Sequence, residues 1–190
     1  AVATQSFVDP SYGPLGLALM KAGRSAPEAL AALVAGDEGR DVRQVGMVDG
    51  GGRVATHTGK MCIPAAGGQA GKDYVVQANL MEKATVWPAM ARAFEAAKGD
   101  LADRMLAALD AAEAEGGDIR GRQSAAILIV KAKSSGRPWA DKLFDLRVED
   151  HDTPLKELRR LVGVARAYNH MSAGDDCVTT KPTAAAAATI

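Results

Sequence analysis

The chain has 190 residues, 23 Lys plus Arg against 23 Asp plus Glu, and 47% hydrophobic residues, so one domain with a substantial core is expected. Zero net charge excludes a whole-molecule field that would draw nucleic acid or an anionic membrane, and no stretch is apolar for long enough to span a bilayer as a helix. Aromatics are 4%, so aliphatic residues must fill the core, and two scattered cysteines, Cys62 and Cys177, read as free thiols in a reducing, cytoplasmic setting.

The opening run Ala1–Val8 alternates and reads as a strand, with pairing partners expected upstream; no signal peptide opens the chain. Turn formers from Asp9 to Pro14 end it. A short helix is expected from about Leu15 to Ala22, stopped by Gly23. Ser25 and Glu28 form a capping box for a second helix, whose stripe of Leu30, Leu33 and Val34 ends at Gly36. Val42–Val48 and Arg53–Thr58 read as strands joined by Asp49-Gly50-Gly51-Gly52, a hairpin signal. Cys62–Lys72 reads as a glycine-rich loop, and Tyr74–Leu80 as a strand.

Helices are expected over about Lys83–Lys98, with Pro88 marking its real start or a kink, and over Leu101–Glu115, capped by Asp100. Leu101, Met105 and Leu109 are spaced by four. Ser124–Lys131 is a solidly apolar strand that suits a sheet buried on both faces. Lys142–Glu149 is another, with Phe144, Leu146 and Val148 on one face. A last helix starts near Thr153-Pro154 and is buried along Leu155, Leu158, Leu161, Val162 and Ala165. Residues 1–170 are taken as one domain and 171–190 as a loose, low-complexity tail. Paired helices between antiparallel-looking strands suit stacked sheets with helices outside, in the α+β class, and fit a doubly wound parallel sheet badly.

Polar residues gather at element ends, where sites are built. His57, in Thr56-His57-Thr58-Gly59, is a candidate general base or a histidine bonded to a nearby carbonyl. Cys62 is a nucleophile only if His57 activates it, and otherwise an inert thiol. A zinc site needs three or four ligands, and none cluster near this pair, so no metal or other cofactor is expected. The segment Gly116–Ser124 is the most site-like: Asp118, Arg120, Arg122, Gln123 and Ser124 sit on a loop before a buried strand. Arginine forks grip carboxylates, and backbone N–H groups in such turns hold oxyanions; a surface salt-bridge loop has the same composition. Asp145–His151 is either a histidine oriented by acids or turn chemistry before the last helix. Gln77 and Asn79 end a strand and offer amide hydrogen bonds.

Several phrases occur together in order: Ala3-Thr4-Gln5-Ser6, Asp9–Pro14, Arg43-Gln44, His57-Thr58-Gly59 with Cys62, Gly117-Asp118, Arg120–Ala126, and Asp145–His151. With them the chain, from residue 1 to about Tyr168, resembles the bacterial family catalogued as domain of unknown function 1028. The resemblance implies an N-terminal-nucleophile (Ntn) hydrolase-like fold: a four-layer αββα sandwich, here lacking its N-terminal strands. Enzymes of that fold attack amide bonds with a terminal Thr, Ser or Cys whose own amine is the base. The expectation is therefore an amide-bond hydrolase acting on a small peptide-like or acylamino compound. In it His57, Asp118 and Ser124 serve catalysis, and Thr4, Ser6, Thr58, Asn79, Arg120, Arg122 and Gln123 bind substrate. Arg120 or Arg122 would grip a carboxylate. The alternative is a non-catalytic module on the same fold that binds peptides or cell-wall fragments or serves as an assembly subunit. A homo-oligomer is expected, with no nucleic-acid or membrane partner.

Overall fold

The computed structural model describes residues 1–173 and 186–189. The first strand, β1 (Val2–Ser6), leads into helices α1 (Tyr12–Lys21) and α2 (Ala26–Gly36). Strands β2 (Arg43–Val48) and β3 (Val54–Thr58) follow, then β4 (Gly67–Gly71) and β5 (Tyr74–Ala78). Helices α3 (Val86–Ala96) and α4 (Leu101–Ala114) come next. Strands β6 (Ala125–Val130) and β7 (Lys142–Val148), helix α5 (Pro154–Ala173) and strand β8 (Ala186–Thr189) complete the order. The protein is mixed α and β. Its small sheets, β1-β2-β3, β4-β5 and β7-β6-β8, are antiparallel throughout.

The register explains the packing. Val45 and Met47 point to one face of the first sheet, where they are buried with Tyr12, Ala26, Ala29 and Leu30 beneath α1 and α2. Gln44 and Gly46 point to the other face, which meets β4-β5. A Cβ on Gly46 would stand 2.8 Å from the Val75 side chain, so glycine lets the sheets approach. Tyr74, Val76 and Ala78 point away from that interface, into a larger core with α3, α4, α5 and β6. Met47 in the first cluster and Leu106, Ile127 and Leu158 in the larger one are fully buried, each contributing roughly 1.5–3 kcal/mol. Among the described residues no helix is long and apolar enough to cross a membrane.

Several expectations need correction. The glycine-rich stretch before Tyr74 contains β4, in register with β5 from Gly67↔Ala78 to Gly71↔Tyr74. Its glycines erase the alternation that marks a strand, yet they are what the packing requires: a Cβ on Gly67 would stand 2.4 Å from the Trp87 ring. Helix α1 begins at Tyr12, not Leu15, and α3 at Val86, not Lys83, so Pro14 and Pro88 both fall in a first turn, where an N–H has no helical partner to lose. Strand β6 is buried on one face only. Ile127 and Ile129 are covered, whereas Leu128 is 40% exposed. The tail expected over 171–190 falls largely outside the described residues, as does Cys177; within it, α5 continues to Ala173 and β8 pairs with β6.

One carboxylate ties the first helix pair to its sheet. Asp49 Oδ2 accepts from the Ala26 N–H at 3.0 Å and from Arg53 Nε at 2.8 Å, and Oδ1 accepts from the Gly51 and Arg53 N–H groups. Burial alone would raise its pKa; these donors outweigh burial and hold it at about 2, below the ordinary 3.8. A folded-state value below the unfolded one stabilises the fold at neutral pH, and that contribution drains away as pH falls from about 4 toward 2. Urea midpoints measured from pH 5 to pH 2 should therefore fall less steeply for Asp49→Asn than for the wild type; parallel profiles would contradict this account.

Candidate functional site

A cavity of about 330 Å³ opens where the ends of β1 and β5 meet the loop after α4. Its wall carries Gln5, Ser6, Gln77 and Asn79; its apolar floor is Leu80, Met81, Met90 and Leu109; Asp118 and Arg120 stand at one side. Phe7 and Ile63 complete the rim and are 60% and 41% exposed. The volume is at the small end for a ligand site, where pockets run from about 300 to 1,000 Å³.

Two backbone positions give the cavity its shape. Ser6 and Leu80 have φ of 69° and 60°, a left-handed conformation that costs a non-glycine residue roughly 1–2 kcal/mol. Both are pinned from either side. After Ser6, the Phe7 N–H donates to the Val42 carbonyl, and Arg43 Nη1 donates to the Phe7 carbonyl at 2.6 Å. Arg43 is itself aimed by Asp37, which accepts from its Nε at 2.9 Å and from the Tyr12 hydroxyl at 3.0 Å. Burial and then this carboxylate push the Tyr12 phenol up to about 12, so it remains a donor. Leu80 donates its N–H to Ile63 and accepts from Ile119, while Met81 bridges to Asp118.

Behind the wall lies Gln44, fully buried. Its two Nε2 hydrogens are shared among Thr58 Oγ1 at 3.0 Å, the Gly67 carbonyl at 3.1 Å and the Ala78 carbonyl at 2.9 Å. Its Oε1 accepts from Gln5 Nε2 at 2.6 Å and Asn79 Nδ2 at 3.1 Å. One carboxamide thus joins β1, β2, β3, β4 and β5. Gln77 Nε2 adds a bond to the Ala3 carbonyl at 3.3 Å. At the side of the cavity Arg120 grips Asp118 with both prongs of its fork, at 2.9 and 2.6 Å. That hydrogen-bonded guanidinium, against the opposing effect of burial, holds the Asp118 carboxyl below the usual carboxylate range.

Of the residues singled out in the sequence, Ser6, Gln77, Asn79, Asp118 and Arg120 come together in this lining. Thr58 is one bond away, through Gln44. Thr4 and His57 pair in register with Val45, on the sheet face that carries α1 and α2. His57 Nε2 lies 2.7 Å from the Arg40 carbonyl, to which it donates. Arg122 is exposed and paired with Glu113, and Gln123 and Ser124 are exposed beside it, none of them lining the cavity. Cys62 is buried and donates its thiol to the Arg43 carbonyl. His151 accepts from the Thr153 N–H in the turn before α5. Gln5 and Gln44 were not singled out as site residues, although a glutamine inside Arg43–Val48, on the same face as Gly46, was the available signal.

The model of a family of unknown function, DUF1028, matches residues 1–158, and the chain belongs to that family. The crystal structure of protein SPO2555 from Silicibacter pomeroyi, also assigned to DUF1028, is similar at 28% identity and a TM-score of 0.75, over 92% of this chain and 70% of that one. No curated protein matches the chain.

Replacing Gln44 with Leu keeps its size but strands two backbone carbonyls and two side-chain amides. Each buried unsatisfied group costs about 1–3 kcal/mol. Gln44→Leu should therefore lose at least about 3 kcal/mol of unfolding free energy in denaturant titrations. A loss below about 1 kcal/mol would show the network to be dispensable.

Proposed function

We propose that this member of the DUF1028 family is an Ntn-type amide-bond hydrolase that takes a small peptide-like or acylamino compound into the cavity beside Ser6 and Asn79. The observation that carries this reading is the cavity's division of labour: carboxamides of Gln5, Gln77 and Asn79 on the wall, and Leu80, Met81, Met90 and Leu109 beneath. The Gln5 and Asn79 carboxamides give their NH₂ groups to Gln44 and keep an oxygen to accept from a substrate amide N–H. The aliphatic and methionine floor suits an acyl chain or an apolar side chain.

The order of packing, helix pair on sheet on sheet on helix pair, supports the αββα assignment. In the reaction a hydroxyl or thiol adds to the amide carbon, the amine leaves with the proton given up by the nucleophile, and water releases the acyl group. Asn79, whose Nδ2 is turned to Gln44, keeps its carbonyl oxygen to accept from the substrate's amide N–H and so position the scissile bond for attack.

A second reading, ligand binding without turnover, is favoured by one observation. Among the described lining residues Ser6 is the single hydroxyl, and no His, Lys or Cys accompanies it to take its proton. The two readings separate in one experiment: the natural full-length protein is incubated with a panel of N-acyl amino amides in ¹⁸O-labelled water, and products are read by mass spectrometry. Hydrolysis should give an acid carrying one ¹⁸O, at a rate reduced roughly a hundredfold in Asn79→Ala, where the substrate amide is no longer positioned. Saturable binding with no labelled acid would establish the binding module, and neither binding nor turnover would remove the cavity as a substrate site.

A further inference from the structure

Building on the reading of the cavity as the ligand pocket, we infer that it recognises the polar end of its ligand as a hydrogen-bond donor, so the ligand presents amide or amine N–H groups there and not a carboxylate. The argument begins at Gln44. Its Nε2 lies 3.1 Å from the Gly67 carbonyl and 2.9 Å from the Ala78 carbonyl. Carbonyls only accept, so this amide has one admissible orientation, with Oε1 turned to Gln5 and Asn79.

Those two residues then have no choice either. Facing an acceptor at 2.6 and 3.1 Å, each must turn its NH₂ group inward. Each is left with its own carbonyl oxygen unmatched by any group of the described residues, on a side chain that lines the cavity. A buried glutamine behind the wall thereby sets the polarity of the two amides in it.

The charged side of the cavity has the same polarity. Asp118 is a carboxylate whose side chain is 10% exposed. Arg120, the one cation among the described lining residues, is bidentate to it. A ligand carboxylate could use only the guanidinium edge that Asp118 leaves open, beside a like charge that already neutralises the cation and facing amide oxygens. An amide or ammonium group meets the same oxygens as acceptors. The guanidinium thus serves to keep Asp118 ionised and in place, and the floor of Met90 and Leu109 takes an apolar tail.

The test uses three probes with one tail: hexanamide, hexylamine and sodium hexanoate, each titrated calorimetrically into the full chain at pH 7. Either nitrogen compound should bind at least about tenfold more tightly than hexanoate, the discrimination expected of one lost or mismatched hydrogen bond at a charged site. In Asp118→Asn, which frees Arg120 and removes the like charge, hexanoate should gain at least about tenfold while hexanamide changes less than about threefold. Hexanoate binding as tightly as the amide and the amine in the wild type, or no gain in the variant, would overturn the inference and leave the pocket reading standing. If none of the three binds, both fail together.

Discussion

Gln44 stands where two sheets meet, and its buried carboxamide bonds to polar groups of both. Two carbonyls of the second sheet, a threonine hydroxyl of β3 and side-chain amides from β1 and the end of β5 all end on it. Left without it, those groups would be buried and unpaired, at a cost comparable to a large part of a domain's net stability. The close approach is possible because Gly46 has no side chain to hold Val75 and Gln77 away. A polar interior of this kind is stable only when complete, and completeness makes it rigid.

That rigidity passes outward to the cavity. Ser6 and Leu80 occupy left-handed backbone conformations that a free chain would leave, and hydrogen bonds on both sides keep them there. Arg43 contributes twice: its guanidinium holds the Phe7 carbonyl at the cavity rim, and its own carbonyl accepts from Cys62. Its aim depends on Asp37, which caps the end of α2, and on Tyr12, the first residue of α1. The helix layer therefore does more than cover apolar surface; it orients the strand end on which the cavity is built.

In the proposed reading, recognition follows from polarity as much as from shape. An isolated glutamine or asparagine on a wall can flip to suit donors or acceptors alike. Here the flip is forbidden from behind, and the cavity presents a defined pattern before any ligand arrives, which lowers the cost of recognition. Asp118 and Arg120 add charge without adding a free cation, since each engages the other.

Much of the local structure was legible in the chain. The Ser25–Glu28 and Asp100 caps, the Asp49 hairpin and the apolar stripes of α4 and α5 are set by neighbours in sequence, and they formed as expected. The candidate site was legible in part. Ser6, Asn79, Asp118 and Arg120 were picked from polar clusters at element ends and meet in one cavity, although they come from distant parts of the chain. What the sequence could not decide was which polar residues share a face. Thr4 and Gln5 are adjacent, yet strand alternation sends them to opposite sides of the sheet. His57 and Thr58 part in the same way. Strand β4 was illegible because glycines carry no pattern, and the need for them arises from groups elsewhere in the fold: Trp87 of α3 against Gly67, and Thr56 of β3 against Gly68. The importance of Gln44 was hidden for the same reason: its five partners are spread over β1, β3, β4 and β5, and only the stacking of two sheets brings them within hydrogen-bonding distance.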